Sequence, residues 1–172
     1  MIRDFGFFMN FFKNLFKSNT NTIAVLIDGP NIIRKSFNID LNEVKREVSK
    51  YGEIRVSKIY LDQYASDKLI EAMVNQGFET VTTTGDVDVT MAIEGMEYVV
   101  DSDINTLALI TRDTDYLPLI RKARERGKKT IIVATDVAFS AALRNTADIV
   151  IILKGQGQVE HLKNNVPTSS QQ

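Results

Sequence analysis

The stretch LALITRDTDYLPLI, residues 107–120, predicts a strand that leads directly into a helix. Its first four residues are apolar, which is typical of a buried parallel strand. Asp113 and Asp115 lie between this strand and the helix that begins near Tyr116. We therefore expect both aspartates at the carboxyl edge of a sheet, where open α/β sheets bind ligands. The alternative is that Asp113 only ends the strand, while Thr114 or Asp115 caps the helix.

Apolar or alternating runs recur along the chain, and segments with helical spacing separate them. This alternation predicts an α/β fold, a three-layer α/β/α sandwich with a mostly parallel central sheet of Rossmann-like type. If the first and fourth strands are neighbours at the topological switch point, residues that end them converge. The predicted strands are Ile23–Ile27, Ile54–Tyr60, Phe78–Thr83, Leu107–Ile110, Lys129–Ala134 and Asp148–Leu153.

Capping residues and glycines predict the helix limits. Asp40 and Ser66 can each open a helix, and Gly77 and Gly127 can each end one. A further short helix is predicted over Phe139–Leu143. The predicted helix Gly85–Val100 places four apolar residues on one side: Val89, Ile93, Met96 and Val100.

Composition narrows the possible chemistry. The chain has 172 residues, a net charge of −1 and no cysteine. This excludes disulfides, thiolate zinc sites and a cysteine nucleophile. The single histidine, His161, lies in a stretch that looks peripheral. Carboxylates are therefore the main candidates for catalysis.

Acidic residues stand at equivalent places in three strand–helix units. Asp28 ends the first strand, Asp86 and Asp88 open the helix after the third, and Asp113 and Asp115 follow the fourth. Carboxylates brought together repel each other unless a cation relieves the repulsion. Mg²⁺ and Mn²⁺ prefer such oxygen ligands. These acids therefore suggest metal-assisted hydrolysis of phosphodiester bonds.

The two chain ends differ from the centre. Residues 1–21 contain a Phe-rich amphipathic segment and a polar linker, and we expect this segment to pack on the domain or to form a homo-oligomer. Attachment to a membrane surface is the second interpretation. The segment is not expected to cross a bilayer, because it is too short and too interrupted. Residues 22–155 form the predicted domain. Residues 156–172 are predicted to form a polar, frayed tail, with a short turn near 159–162 as the one exception. We expect a cytoplasmic protein.

Three motifs, in order, resemble the NYN domain, and specifically its LabA-like branch, a relative of the PIN-domain nucleases. They are Asp28-Gly29-Pro30-Asn31, Gly85-Asp86-Val87-Asp88-Val89 and the segment Thr111–Ile120. The resemblance covers roughly Thr22 to Lys154. It implies a PIN-like sandwich and metal-dependent ribonuclease activity on RNA.

The resemblance also implies roles for individual residues. Asp28, Asp88, Asp113 and Asp115 match the catalytic acids that bind Mg²⁺ or Mn²⁺, and Asn31 matches a polar residue that helps to hold substrate or a metal-bound water. Two departures stand out. Thr111-Arg112 replaces a common Ser-Gly pair, and Arg112 could contact a phosphate or crowd the pocket. Glu94 stands where aspartate is common.

Ordinary structural roles compete with these assignments. Asp86 is expected to cap its helix, Glu94 to be solvated, and Asp148 to make a turn or helix-end contact. Asp115 and Asn31 could each cap a helix or serve the site. The basic residues between Arg121 and Lys129 are expected to form a solvated helix face, and the alternative is guidance of an RNA backbone.

Two functions follow from these readings. The first is a metal-dependent ribonuclease, and the second is a non-catalytic module of the same fold that binds RNA or protein. Few aromatic residues lie near the predicted site. We therefore expect recognition of RNA backbone and shape more than base stacking.

Overall fold

The computed structural model describes residues 20–32, 40–135, 140–154 and 158–164. In these ranges, one sheet contains the strands β1 (Thr22–Asp28), β2 (Glu53–Asp62), β3 (Glu79–Thr83), β4 (Thr106–Ile110), β5 (Lys129–Thr135), β6 (Ile149–Leu153) and β7 (Val159–Lys163). The helices are α1 (Gly29–Ile32), α2 (Leu41–Ser49), α3 (Asp67–Asn75), α4 (Val87–Val100), α5 (Leu117–Glu125) and α6 (Ala141–Thr146). A 3₁₀ turn, Thr114–Tyr116, precedes α5.

The strand order is β3-β2-β1-β4-β5-β6-β7, and the first six strands are parallel. β1 and β4 are neighbours, with Ile27 opposite Ile110. The predicted adjacency at the switch point is therefore confirmed. Because every strand-to-helix junction lies at the carboxyl edge, residues that follow β1 and β4 meet there.

Helices cover both faces of the sheet, so the predicted three-layer sandwich is confirmed. On β1, Ala24 and Leu26 belong to an apolar cluster with residues of α4 and α5. The alternate residues Ile23, Val25 and Ile27 belong to a second cluster with residues of α2 and α3. Residues 23–27 are all fully buried, which explains their unbroken apolar run.

Most predicted helix limits are confirmed. The side chains of Asp40, Ser66 and Asp86 cap α2, α3 and α4 by accepting backbone N–H groups. Gly77 and Gly127 follow α3 and α5 with φ values of 75° and 76°. The predicted helix over Phe139–Leu143 begins later, at Ala141 after the cap Ser140. Phe139 lies outside the described residues.

The predicted apolar side of α4 is wrong. Val89, Ile93 and Val100 are exposed, whereas Val87, Met91, Gly95 and Val99 are buried. Because this helix is apolar on most sides, spacing alone cannot choose the buried one. Gly95 gives α5 a close approach on the buried side, since an added Cβ would lie 2.7 Å from Leu119 Cδ2 and the Leu119 side chain would have to shift.

The C-terminal expectation is wrong for residues 159–163. These residues form β7, which pairs antiparallel with β6. Leu162 and Val159 pack against the clusters on opposite faces of the sheet, and this burial stabilises the strand. His161 lies on β7 and contacts α2, so it is part of the packed domain.

The predictions for the N-terminal segment concern residues 1–19, which lie outside the described residues. Within the described ranges, no helix combines the length and the apolar character that are needed to cross a bilayer.

Candidate active site

Several acidic residues lie at the carboxyl edge near the switch point, and we call three of them, Asp28, Asp88 and Asp113, the acidic site. Asp28 is the last residue of β1, and Asp113 follows the neighbouring strand β4. Asp88 lies in the first turn of α4, which packs on the sheet. The topology therefore brings together the ends of elements that are distant in sequence.

Asp28 is fully buried and accepts hydrogen bonds only from neutral groups in the described chain. The Asn31 side-chain amide donates to Asp28 Oδ2 at 2.6 Å, and the Asn31 backbone N–H donates to Oδ1 at 3.3 Å. The Thr111 hydroxyl also donates to Oδ2, at 2.9 Å. These donors fix the carboxylate without neutralising its charge.

Gly29 allows the chain to turn immediately after Asp28. A Cβ at this position would lie 2.5 Å from the Tyr60 carbonyl oxygen and 2.6 Å from Leu61 Cδ2. A larger residue would push α1 away from β2 and displace the Asn31 donors. The Asp-Gly pair is therefore a steric requirement of this edge.

Asp113 has two local hydrogen bonds. Its backbone N–H donates to Thr111 Oγ1 at 3.1 Å, and its Oδ1 accepts the Asp115 N–H at 2.9 Å. Asp113 itself therefore caps the 3₁₀ turn. The N-cap of α5 is Tyr116, which makes no side-chain cap hydrogen bond, so the alternative that Thr114 or Asp115 caps the helix is wrong. Thr111 joins the two acids, because its hydroxyl contacts both Asp28 and Asp113.

Asp88 accepts a hydrogen bond of 2.9 Å from the Tyr116 hydroxyl. Burial raises the pKa of the Asp88 carboxyl, and the negative charges of Asp28 and Asp113 raise it further, against the effect of the Tyr116 hydrogen bond. Burial and the charge of Asp28 also raise the pKa of the Tyr116 phenol. The phenol therefore stays protonated and remains a donor to Asp88.

The donor chemistry of the acidic site fits a hard divalent cation. Among the described residues, none of its three carboxylates forms an ion pair with lysine or arginine. In the same ranges, no three acidic or histidine side chains stand in ready-made metal-ligand geometry. A shared ion would therefore require the carboxylates to move closer together.

The sequence model of the NYN domain family matches residues 22–154 of this chain. The chain belongs to the NYN domain family. An uncharacterized protein of Methanocaldococcus jannaschii is 50% identical over 147 residues, which are 86% of this chain and 61% of that protein. The chain thus spans less than two thirds of this relative's length. The NYN domain suggests a nuclease-type function.

The other predicted site residues of this NYN domain occupy different settings. Asp115 is exposed beside Asp113, and Arg112 is half-buried between Thr111 and Asp113. The roles of Asp115 as a ligand and of Arg112 in substrate binding stay predictions. Asn31 contacts Asp28 directly.

Glu94 is not solvated as expected. Only 25% of its side chain is exposed, and it accepts hydrogen bonds from Lys58 Nζ at 3.0 Å and from the Tyr60 hydroxyl at 2.9 Å. Burial opposes the charge on Lys58, but its hydrogen bonds, beginning with that to Glu94, hold its pKa above the usual value. Tyr60 lies opposite Asp28 in the β1–β2 ladder. Glu94 therefore supports the strand beside the acidic site, with its charge paired.

The basic residues of the NYN domain between Arg121 and Lys129 include several structural contacts. Arg124 Nε lies 3.1 Å from Asp148 Oδ1, and Lys122 Nζ lies 2.6 Å from Glu125 Oε2. Lys128 donates to backbone carbonyls of the loop before β4. These contacts favour the structural interpretation. Asp148 also accepts two hydrogen bonds from Thr130 of β5. Of the two contacts predicted for Asp148, the structure shows the helix-end one, to Arg124 in the last turn of α5.

Sequence reasoning missed two residues that position the acids. Thr111 appeared only as a departure from a Ser-Gly pair, although it keeps the hydroxyl that Asp28 requires. Tyr116 was read only as the start of a helix. A signal was available for Thr111, because it directly precedes Arg112-Asp113 at the end of β4. None was available for Tyr116, whose partner Asp88 is 28 residues away.

Proposed function

We propose that this NYN domain, of the LabA-like branch related to PIN-domain nucleases, is a metal-dependent ribonuclease acting on RNA in the cytoplasm. One observation carries the proposal. Three carboxylates gather at the switch point, and within the described residues they have neutral hydrogen-bond partners and no ion pair. Burial and the nearby charges of Asp28 and Asp113 raise the pKa of Asp88, and such a perturbed carboxyl beside other acids is typical of functional sites.

Asp28, Asp88 and Asp113 would hold Mg²⁺ or Mn²⁺, with Asp115 as a further ligand on the exposed side. When bound, such an ion activates water and stabilises charge on the phosphodiester. The carboxylates are suited to this, because oxygen ligands with unbalanced negative charge attract a hard cation.

The surrounding residues orient the acids. Thr111 and Asn31 fix both oxygens of Asp28, and Tyr116 fixes Asp88. In our proposal, Asn31 also contacts substrate on the side away from Asp28. The Arg112 guanidinium contacts an RNA phosphate, for which its planar donors are suited.

The test is cleavage of labelled RNA by the full chain in Mn²⁺, in Mg²⁺ and in EDTA. We expect cleavage with either metal, none in EDTA, and none with Asp28→Asn, which keeps the shape and an oxygen acceptor but removes the charge. Asp103→Asn is the matched control, because Asp103 lies at the opposite edge of the sheet, before β4. Its cleavage rate should equal that of the wild type.

Two results would contradict the proposal. Cleavage by Asp28→Asn at the wild-type rate would show a contaminating nuclease. RNA binding with no cleavage in either metal would instead identify a non-catalytic binding module.

Self-association through residues 1–18 and attachment to a membrane surface remain predictions. Removing these residues and measuring the mass in solution and the binding to liposomes separates the two.

A further inference from the structure

A cleft of about 340 Å³ opens beside the acidic site. Gly29 and Pro30, which directly follow Asp28, line one part of it. Leu61 and Leu69 contribute apolar surface, and Tyr64 lies at the cleft as well. The cleft therefore adjoins the point at which a phosphodiester would be cut.

Tyr64 is unusual among the tyrosines of this edge, because 83% of it is exposed whereas Tyr60 and Tyr116 are buried. The turn that carries it is well defined. Its backbone N–H donates to Asp62 Oδ1 at 2.9 Å, and the Ala65 N–H donates to the Asp62 carbonyl at 3.2 Å. The turn thus holds the Tyr64 backbone at the carboxyl edge and leaves the ring accessible to a ligand.

Asp62 adds a polar group to this apolar cleft. Its Oδ1 is used by the Tyr64 N–H, whereas Oδ2 has no hydrogen-bond partner among the described residues. A carboxylate oxygen in this position can accept a hydrogen bond from the amino group of a nucleobase.

We propose that this cleft, which we call the base cleft, binds one unstacked nucleobase of the substrate RNA. The base stacks on Tyr64, and its exocyclic amine donates to Asp62 Oδ2. This inference rests on the proposed action on RNA. It favours adenine, cytosine or guanine, whose exocyclic amines extend outside the ring and carry two N–H donors, over uracil, whose only base donor is the ring N3–H. A single exposed ring, apolar walls and one acceptor match a flat heterocycle with a polar edge.

The experiment measures the binding of short single-stranded RNAs to the full chain by fluorescence anisotropy in Ca²⁺. We expect Tyr64→Ala to raise the Kd about ten-fold, since base–aromatic stacking is lost. Tyr64→Phe keeps the ring and should bind as the wild type does. Val74→Ala, at an exposed apolar residue of α3, is the control for loss of surface area and should have no effect.

Base identity provides a second measurement. A strand of uridines should bind the wild type more weakly than a strand of cytidines, and Asp62→Asn should reduce this difference while keeping an acceptor for the Tyr64 N–H. An RNA with an abasic nucleotide in the bound position should bind the wild type no more tightly than the intact RNA binds Tyr64→Ala. In cleavage assays, Tyr64→Ala should raise KM and leave kcat unchanged.

Equal Kd values for the wild type, Tyr64→Ala and Tyr64→Phe would overturn the base cleft but leave metal-dependent cleavage intact. If wild-type protein neither binds nor cuts RNA, the ribonuclease proposal and the base cleft both fail. If Tyr64→Ala abolishes binding of an apolar peptide but not of RNA, the cleft is a protein-docking site and the inference is wrong.

Discussion

Asp28 and Glu47 are both buried carboxylates, with 0% and 3% exposure, but their partners differ. Asp28 accepts hydrogen bonds from the neutral groups of Asn31 and Thr111. Glu47, on α2, faces cations and an imidazole. Lys50 Nζ lies 2.5 Å from Glu47 Oε2, His161 Nε2 lies 2.8 Å from the same oxygen, and Arg46 Nε lies 3.5 Å from Oε1.

This difference separates a structural acid from a candidate functional one. The charge of Glu47 is balanced by its neighbours, so the cluster holds β7 against α2 and needs no ligand. Among the described residues, the charge of Asp28 meets no cation, and it lies near two further acids. A buried charge without a partner costs several kcal/mol. Retaining it is explained if a bound cation supplies the missing charge.

The pKa shifts in the two regions have opposite signs. The hydrogen bond from Lys50 is the largest influence on Glu47 and lowers its pKa, with His161 adding to the effect against burial. Burial and neighbouring acids raise the pKa of Asp88. Ionisation is therefore favoured at Glu47 and disfavoured at Asp88.

The largest expected effect is on catalysis by Asp113→Asn. The amide keeps the cap acceptor for the Asp115 N–H but removes one charge of the acidic site. We expect kcat/KM for RNA in Mn²⁺ to fall at least about 100-fold, more than for loss of a residue that only supports a metal ligand. The melting temperature in EDTA should not fall.

Asp86→Asn is the control for this variant. Asp86 caps α4 next to Asp88 in the same way that Asp113 caps its turn. Its cleavage rate should stay near that of the wild type. A large loss would mean that net charge near the edge matters, and not the identity of the acid.

The next effect is on stability, in Glu47→Gln. The amide of Gln keeps one acceptor but loses the charge-assisted hydrogen bonds from Lys50 and His161, so the free energy of unfolding should fall by about 2 kcal/mol. Urea unfolding measures it. Glu125→Gln, which removes an exposed partner of Lys122, should change the urea midpoint little. Equal midpoints for the two variants would show that the Glu47 cluster contributes no more than a surface pair.

Divalent metal should stabilise the wild type by a smaller amount. An ion at ten times its dissociation constant adds about 1.4 kcal/mol. The melting temperature should therefore rise in Mn²⁺ for the wild type and not for Asp88→Asn. An equal rise in both proteins would place the ion elsewhere.

The smallest effect is on the pH dependence of stability. The folded pKa of Glu47 is lowered, so its stabilising contribution is present above its unfolded pKa and is lost as pH falls through the folded value. The folded pKa of Asp88 is raised, so in EDTA stability is lost as pH rises through that value. When urea midpoints are measured across acidic pH, the midpoint of the wild type should fall towards the low end of the pH range, and this fall should be absent in Glu47→Gln. In EDTA, the midpoint of the wild type should also fall towards the high end of this range, and that fall should be absent in Asp88→Asn.

Much of the fold was predictable, because local rules govern strands and caps. The apolar run before Asp28 needs a covered strand, and Asp40, Ser66 and Asp86 cap helices wherever those helices pack. The buried side of α4 was not predictable, because apolar residues lie on several of its sides and contact with α5 chooses among them. The strand β7 was missed because it is short and gains its stability from pairing with β6.

The site was predictable in position but not in detail. Acids that follow parallel strands must lie at one edge, and this placed Asp28, Asp88 and Asp113 correctly at that edge. The donors Thr111 and Tyr116, and the exposed ring of Tyr64, depend on side-chain directions that spacing does not give.

By itself, the sequence determined the order of the first six strands and their helices and the edge at which the acids lie, since the period of apolar residues and the direction of parallel strands settle both. Tertiary structure alone decided the distant partners of the two buried carboxylates. The contact between Glu47 and His161 joins residues 114 positions apart, and that between Asp28 and Thr111 joins residues 83 positions apart. Capping and periodicity act over a few residues, so only the strand order could bring the imidazole of His161 to Glu47 and a neutral hydroxyl to Asp28.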